Sequence, residues 1–431
     1  MTEASSDMGA RRGAFGLPLH PGRSAALGEV HSRPAPPMAP PRAAIKLVFM
    51  TDGGAVVDHA TLSELCRQQG VASPDRSARH HAMSWGKGSL RWERHTECST
   101  WTFEGPAANS TGGQTDNHPF GAAFPPPGSL ICGMRLQLHP HTQDLEPLLA
   151  HFDPTTLCAS RSVGGAIVAT DFRQDADGLT RFLVIDNGLS PARAGALAQR
   201  LFDIEMYRTL ALLGLPLAQS LSPRLRATED KLTDITRRMR DAAGPDSHAI
   251  LDELISLAAE LEADSAASFY RFGASRAYDD IVHDRLEALE EQPLAGYETF
   301  AAFLDRRMAP AMRTCRSVEE RQINLSAKLA RTATLLRTRV DVDVERQNRD
   351  LLASMNRRAK LQLRLQQTVE GLSVAAVSYY VVGLFGYLAK GLQLERFGIK
   401  PEYLTAAFVP VALFGVWWLV RRIRRGHAED E

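Results

Sequence analysis

The sequence predicts an α+β (or α/β) cytosolic domain followed by a long helical stalk and a C-terminal two-helix transmembrane hairpin. Three observations predict it: short, turn-bounded apolar runs confined to residues 45–190, helical periodicity almost unbroken from Pro191 to residue 370, and two uncharged stretches near the C-terminus. Lys plus Arg equals Asp plus Glu, 50 each in 431 residues, so no net basicity argues for a nucleic-acid partner. The five cysteines, Cys66, Cys98, Cys132, Cys158 and Cys315, include no Cys-x-x-Cys pair, which speaks against a disulfide scaffold or a cysteine zinc site. The opening residues hold no apolar core of signal-peptide length, so the N-terminal part is expected to stay on the side where it is made.

Taken in order, residues 1–44 hold seven prolines and read as a partly extended arm. The domain over 45–190 draws its strands from IKLVFM (45–50), SLICGMRLQL (129–138), GAIVAT (165–170) and RFLVID (181–186), with one or two more in LRWERHTECSTWTF (90–103). Helical stretches are expected around Thr61 to Gln69 and His141 to His151, and residues 104–128 read as an exposed insertion. Ser190 before Pro191 starts a helix, and Gly214 with Pro216 stops it. The helical region then runs over 191–370. Leu325, Leu329, Thr332, Leu336, Val340, Val344, Leu351 and Met355 recur at threes and fours. Their apolar face is too narrow to stand alone in so long a helix, so the stalk needs partners from its own chain or from copies, and a homo-oligomer is expected.

The first span, residues 371–389, is 19 residues without a charge, about 28 Å at 1.5 Å per residue and enough to cross the hydrocarbon. A loop over 390–402 leads to the second, 403–420, where Trp417 and Trp418 stand as interfacial anchors, and a charged tail covers 421–431. Arg357, Arg358, Lys360 and Arg364 precede the first span, and Arg421, Arg422, Arg424 and Arg425 follow the second. Cations so placed predict a multi-pass protein of the inner membrane with both termini cytoplasmic and the lipid bilayer as a partner.

Candidate sites follow from charge and spacing. In Trp92 to Glu97, strand alternation places Glu93, His95 and Glu97 on one face together with Arg91, a set suited to a ligand, a metal or proton transfer. His31 and Arg33 form a second polar cluster in the arm. Residues 229–291 carry 16 acidic and seven basic side chains, whereas residues 313–364 carry 13 basic and six acidic. The acidic helices are expected to pack against the basic stalk, or to serve as a sensor in which Glu260, Asp264, Asp279, Asp280 and Asp284 attract a divalent cation. Gly371, Ala375, Ser378, Val382 and Gly386, ending at Lys390, give the first span a narrow face of mostly small residues, for helix packing or as a pore lining. No P-loop, G-x-G-x-x-G, H-E-x-x-H or G-x-S-x-G occurs, so no catalytic residue and no cofactor is assigned.

EVHSRP (29–34), RWERHTE (91–97), DIEMYRTLALLGLPLA (203–218) and SYYVVGLFGYLAKGL (378–392) together resemble an uncharacterised bacterial family of predicted membrane-anchored proteins. The resemblance covers nearly the whole chain; it implies an inner-membrane location and this order of domains, and no activity. The overall architecture is also loosely similar to the CorA-type metal-ion channels. Those carry a Gly-Met-Asn signature after the first span, where this sequence has Tyr387, Leu388, Ala389, Lys390 and Gly391, and a lysine there would repel cations. The expected function is a membrane-anchored protein with a cytosolic binding or sensing domain, with an ion channel or transporter of CorA-like architecture as the alternative.

Overall fold

A computed structural model of the chain describes residues 20, 23, 35–51, 54–107, 118–241, 246–391 and 401–427. The cluster containing His31 and Arg33, and most of the loop between the two apolar spans, lie outside the described residues. The chain divides into two compact units. One comprises the residues up to Arg240 together with Asp252–Thr332; the other comprises Asp241–Leu251 together with the chain from Ala333 onward.

The first unit is built on a nine-stranded mixed sheet. Its strands are β1 (Arg42–Met50), β2 (His80–Trp85), β3 (Gly88–Arg94), β4 (Cys98–Pro106), β5 (Ser129–His139), β6 (Cys158–Arg161), β7 (Ile167–Thr170), β8 (Thr180–Ile185) and β9 (Gln292–Pro293). Their order across the sheet is β2-β3-β4-β1-β5-β8-β7-β6-β9. Every pairing is antiparallel except that of β5 with β8.

Alternation along β1 feeds two cores, because successive side chains leave a strand on opposite faces. Ala44 and Val48 join Met134, Leu136, Leu138, Phe182 and Val184 on the face covered by helix α3 (Pro191–Leu212), which supplies Leu197, Leu201 and Phe202. On the other face Phe49 packs with Leu90, Trp92, Trp101 and Phe103 beneath helix α1 (Gly54–Gln68), which supplies Leu62, Leu65 and Cys66. The Trp92 indole donates from Nε1 to Asp58 Oδ2 at 2.9 Å, binding the strand to that helix. A smaller core at the β6–β8 end gathers Leu149 of the one-turn helix α2 (Glu146–Leu149) with Phe152, Ile167, Leu183 and Ile185.

Helix α3 starts where the sequence signals it. The Ser190 hydroxyl accepts from Arg193 N at 3.4 Å, and Pro191 occupies the first turn, where an amide hydrogen would have no partner. Gly195 lets the preceding segment cross this helix: a Cβ there would stand 1.9 Å from the Pro36 carbonyl oxygen. The stop at Gly214 is a break of one residue, after which helix α4 (Gly214–Asp241) begins at once. A Cβ on Gly214 would meet Ser275 Oγ at 2.5 Å, so the close approach of helix α5 (Asp246–Glu287) fixes glycine at this corner.

Helices α4 and α5 and the first part of helix α6 (Phe300–Gly391) bury Leu221, Leu225, Ile235, Leu254, Leu257, Leu261, Val318, Leu325 and Leu329. Ion pairs at their edges follow individual neighbours rather than the net charge of each segment. Arg321 of α6 pairs with Glu229 of α4 at 2.9 Å, but Arg276 of α5 pairs with Glu319 of α6 at 2.6 Å, opposite in sense to the net charges, and Arg224 of α4 pairs with Asp264 of α5 at 2.7 Å.

In the second unit, α6 continues as one helix to Gly391, so the first uncharged stretch is its final part rather than a separate helix. Its apolar stripe is buried at Leu336 and Val340 and exposed at Val344, Leu351 and Met355. Helix α7 (Pro401–His427) packs on the end of α6, with the rings of Phe385 and Phe408 stacked 3.9 Å apart. Two helices, α6 and the stretch Pro401–Arg422 of α7, are long and apolar enough to cross a membrane, and only 11% and 6% of their most apolar windows are buried.

Burial raises the Asp58 carboxyl above its ordinary range, with Ser99 and Trp92 pulling it partly back. The folded chain therefore holds this proton more tightly than the unfolded chain. The contribution is most favourable below the ordinary carboxylate value of about 3.9 and is lost as pH rises through the raised folded value. Asp58→Asn, which keeps an acceptor for Trp92 without the charge, is expected to raise the urea midpoint near neutral pH and to lose that gain in acid. An equal effect at both pH values would contradict this.

Candidate functional site

The register of β3, β4 and β1 places a polar layer on the sheet face beside α3. Arg91, Thr102 and Lys46 are consecutive cross-strand partners, as are Glu93 and Thr100 in the next row, and Ser89 and Glu104 on the other side. Partners in register point to one face, so these side chains form one surface. Thr100, Thr102, Glu93, Glu104 and Lys46 are all buried.

Carboxylates in this layer and in the elements bordering it have arginines beside them. Arg91 Nε stands 3.4 Å from Glu93 Oε1, and Arg42 Nε 3.7 Å from Glu104 Oε1. Burial raises the Glu104 carboxyl, and Arg42 and Arg91 lower it. On α3, Asp203 accepts from Gln199 Nε2 at 2.7 Å and from Arg285 Nε of α5 at 3.0 Å, while Gln199 Oε1 accepts from Arg91 Nη2 at 3.0 Å. Two residues on, Glu205 accepts from Thr180 Oγ1 at 2.8 Å and from both Nε and Nη2 of Arg208, at 2.9 and 2.6 Å. The Arg208 guanidinium lies 5.4 Å from the centre of the Phe172 ring, and Phe172 holds a left-handed backbone at φ 52° while stacking on Phe303 at 5.3 Å. A left-handed phenylalanine persists only where its surroundings fix it, and here three aromatic rings and Arg208 do so.

Strand β3 ends at Arg94, so the alternation that would carry Glu93, His95 and Glu97 on one face stops before His95. His95 and Glu97 lie in the turn, where His95 N donates to the Cys98 carbonyl at 2.8 Å. Glu93 and His95 still meet through Thr100, whose Oγ1 is 3.4 Å from Glu93 Oε2 and 3.4 Å from His95 Nε2. Both separations are longer than those of an activated nucleophile and its base, about 2.6–3.2 Å. Glu97 turns instead to α5, accepting from Arg271 Nη1 at 3.1 Å and from its Nη2. Glu97 is also a hydrogen-bond partner of Tyr278, whose hydroxyl is pushed up first by burial and then by that contact. The Tyr278 ring lies against Tyr207 of α3 at 5.4 Å. Thus RWERHTE and DIEMYRT interlock through Arg91, Gln199, Asp203 and the aromatic pair.

The acidic residues of α5 are dispersed. Asp264 is paired with Arg224; Asp279 is buried, which raises its carboxyl, and stands 3.7 Å from His283; Glu260, Asp280 and Asp284 are exposed. Among the described residues, no three of His, Cys, Asp and Glu stand close enough together to hold a metal ion. In the second unit a Cβ on Gly386 would stand at ordinary contact distance from Thr405, Ser378 and Ala389 are buried, Val382 is half-buried, and Gly371, Ala375 and Lys390 are exposed.

Sequence reasoning passed over Lys46, Gln199, Asp203, Glu205, Arg208, Arg271 and Arg285. Two signals were present: a lysine within the apolar run IKLVFM, and two acids in an otherwise apolar turn of DIEMYRTLALL.

Together these features define a mixed-sheet domain with a charge-paired polar face, followed by long helices and an apolar C-terminal pair. The chain belongs to the family described as "Protein of unknown function (DUF3422)", whose model matches residues 18–427. No curated protein and no solved structure matches it, so the likeness to CorA-type channels gains nothing from comparison.

Arg208→Met would leave Glu205 buried without its guanidinium, and is expected to cost about 3–5 kcal/mol in denaturant unfolding. Adding Glu205→Gln should restore most of the loss. A cost below about 1 kcal/mol would show that the pair is not buried as described.

Proposed function

We propose that this chain is a bacterial inner-membrane protein, anchored by the end of α6 and by α7, with a cytoplasmic binding or sensing domain built on the mixed sheet. The observation that carries the anchor is the exposure of apolar side chains in both helices, Leu372, Leu384, Leu388, Val411, Phe414 and Leu419 among them. Soluble chains rarely expose apolar patches of this extent, whereas lipid tails would cover these. Arg421 and Arg422 lie over the Trp417 and Trp418 rings at 4.9 and 5.3 Å, an arrangement suited to the interface between hydrocarbon and water. Cations before the first span and after the second favour cytoplasmic termini.

The binding role is supported by the polar face of the sheet, where paired charges are buried at a cost that a purely apolar core would not incur. Self-association is supported by Leu351, Met355, Leu365 and Val369, exposed along α6 at spacings close to a heptad seam. The packing of Gly386 against Thr405 favours helix contact as the role of the small-residue face.

Full-length protein with a C-terminal tag is expected to remain in the membrane pellet after an alkaline carbonate wash. The tag should resist protease added to intact spheroplasts and be cut after lysis. Release by carbonate would refute the anchor, and cutting in intact spheroplasts would refute the orientation.

A further inference from the structure

We infer that Lys46 and Thr102 form an internal site for the carboxylate group of a small monocarboxylic acid; this rests on the reading of the sheet face as a binding surface and not on the membrane anchor. Lys46 is 0% exposed, and Nζ has no hydrogen-bond acceptor among the described residues. The hydroxyl of Thr102, its direct cross-strand partner on β4, is buried and equally unpartnered. Two buried polar atoms with unmet hydrogen bonds on directly paired residues are rare in folded chains and ask for an explanation. An uncompensated buried ammonium is costly unless an anion joins it.

The surrounding charges select the ligand. Glu93, Glu104, Asp203, Glu205 and Glu97 each have an arginine beside them: Arg91, Arg42, Arg285, Arg208 and Arg271. Lys46 has no such carboxylate among the described residues. With these five pairs neutral, the charge left over among the named groups is that of Lys46, and one negative charge balances it. A phosphate dianion would overshoot and face the neighbouring glutamates. Beside Lys46 also stand Phe202 of α3, with its ring centre 5.7 Å from Nζ, Met134 on β5, the cross-strand partner on the far side from Thr102, and the buried Cys132 thiol. In this site the ammonium donates to one carboxylate oxygen, the Thr102 hydroxyl donates to the other, and the hydrocarbon body of the acid lies against the apolar side chains.

The test is thermal melting of the detergent-solubilised full-length protein in sodium acetate, with sodium chloride and sodium phosphate at matched ionic strength. Acetate is expected to raise the melting temperature saturably, and chloride and phosphate are not. Lys46→Met should lower the apparent acetate affinity at least ten-fold, yet melt no lower than wild type in chloride, because it removes an unpaired buried charge. Thr102→Val should weaken acetate several-fold, and decides the matter alone if Lys46→Met does not fold. Absence of an acetate response in wild type, an equal response to phosphate, or a wild-type acetate response in Thr102→Val would overturn the site. An acetate response unchanged in Lys46→Met would also overturn it while leaving the sheet face a binding surface, and none of these results bears on retention in the membrane.

Discussion

Local neutralisation of buried carboxylates is the constraint on which the first unit depends. Glu93 and Glu205 sit between sheet and helix with almost no exposure, and an ionised carboxylate there is tolerated only beside a cation. Arginine suits this because its rigid fork makes two directed hydrogen bonds, as Arg208 does to Glu205 and Arg271 to Glu97. The partners come from far along the chain. Arg271 and Glu97 are 174 residues apart, and Arg285 and Asp203 are 82 apart, so these pairs fix α5 against both the β3–β4 turn and α3. Apolar packing supplies most of the burial, while the ion pairs specify which helix face meets which strand.

The other constraint lies toward the C-terminal part of the chain, where many apolar side chains stay exposed among the described residues. The stripe along α6 is buried at Leu325, Leu329 and Leu336, then exposed at Leu351 and beyond. Periodicity alone does not distinguish these halves, because the same spacing serves a helix packed within its chain and one that awaits lipid or another copy. The proposed anchor and self-association both rest on this exposed surface and the arginines that flank it.

Much of the architecture was legible in the sequence. Apolar runs marked β1, β5, β7 and β8 because both sheet faces are covered there, and Ser190-Pro191 marked the start of α3 because capping is local chemistry. Strands β2, β6 and β9 were not legible. HHAMSW of β2 alternates weakly, the four residues of β6 are too short a run to stand out, and β9 is two residues whose pairing with β6 is decided over more than 100 residues of chain. The expected helix over 141–151 contracts to one turn at Glu146–Leu149. The site was half legible. RWERHTE was recognisable as unusual, but where β3 ends is set by the turn hydrogen bond from His95 to Cys98, which alternation does not encode. The separate fates of Glu93 and Glu97 depend on Arg91 and Arg271, and only the fold brings Arg271 to that turn.

The claim that arginine–carboxylate pairing holds the sheet to its helices is tested most directly by a double-mutant cycle on Arg271 and Glu97. Arg271→Met, Glu97→Gln and the double variant would be compared by denaturant unfolding. If the pair joins the β3–β4 turn to α5, the double variant should lose less than the sum of the single losses, with a coupling of about 1–3 kcal/mol. Losses that add within about 0.5 kcal/mol would mean that the two residues do not act on one another, and that packing alone sets the position of α5.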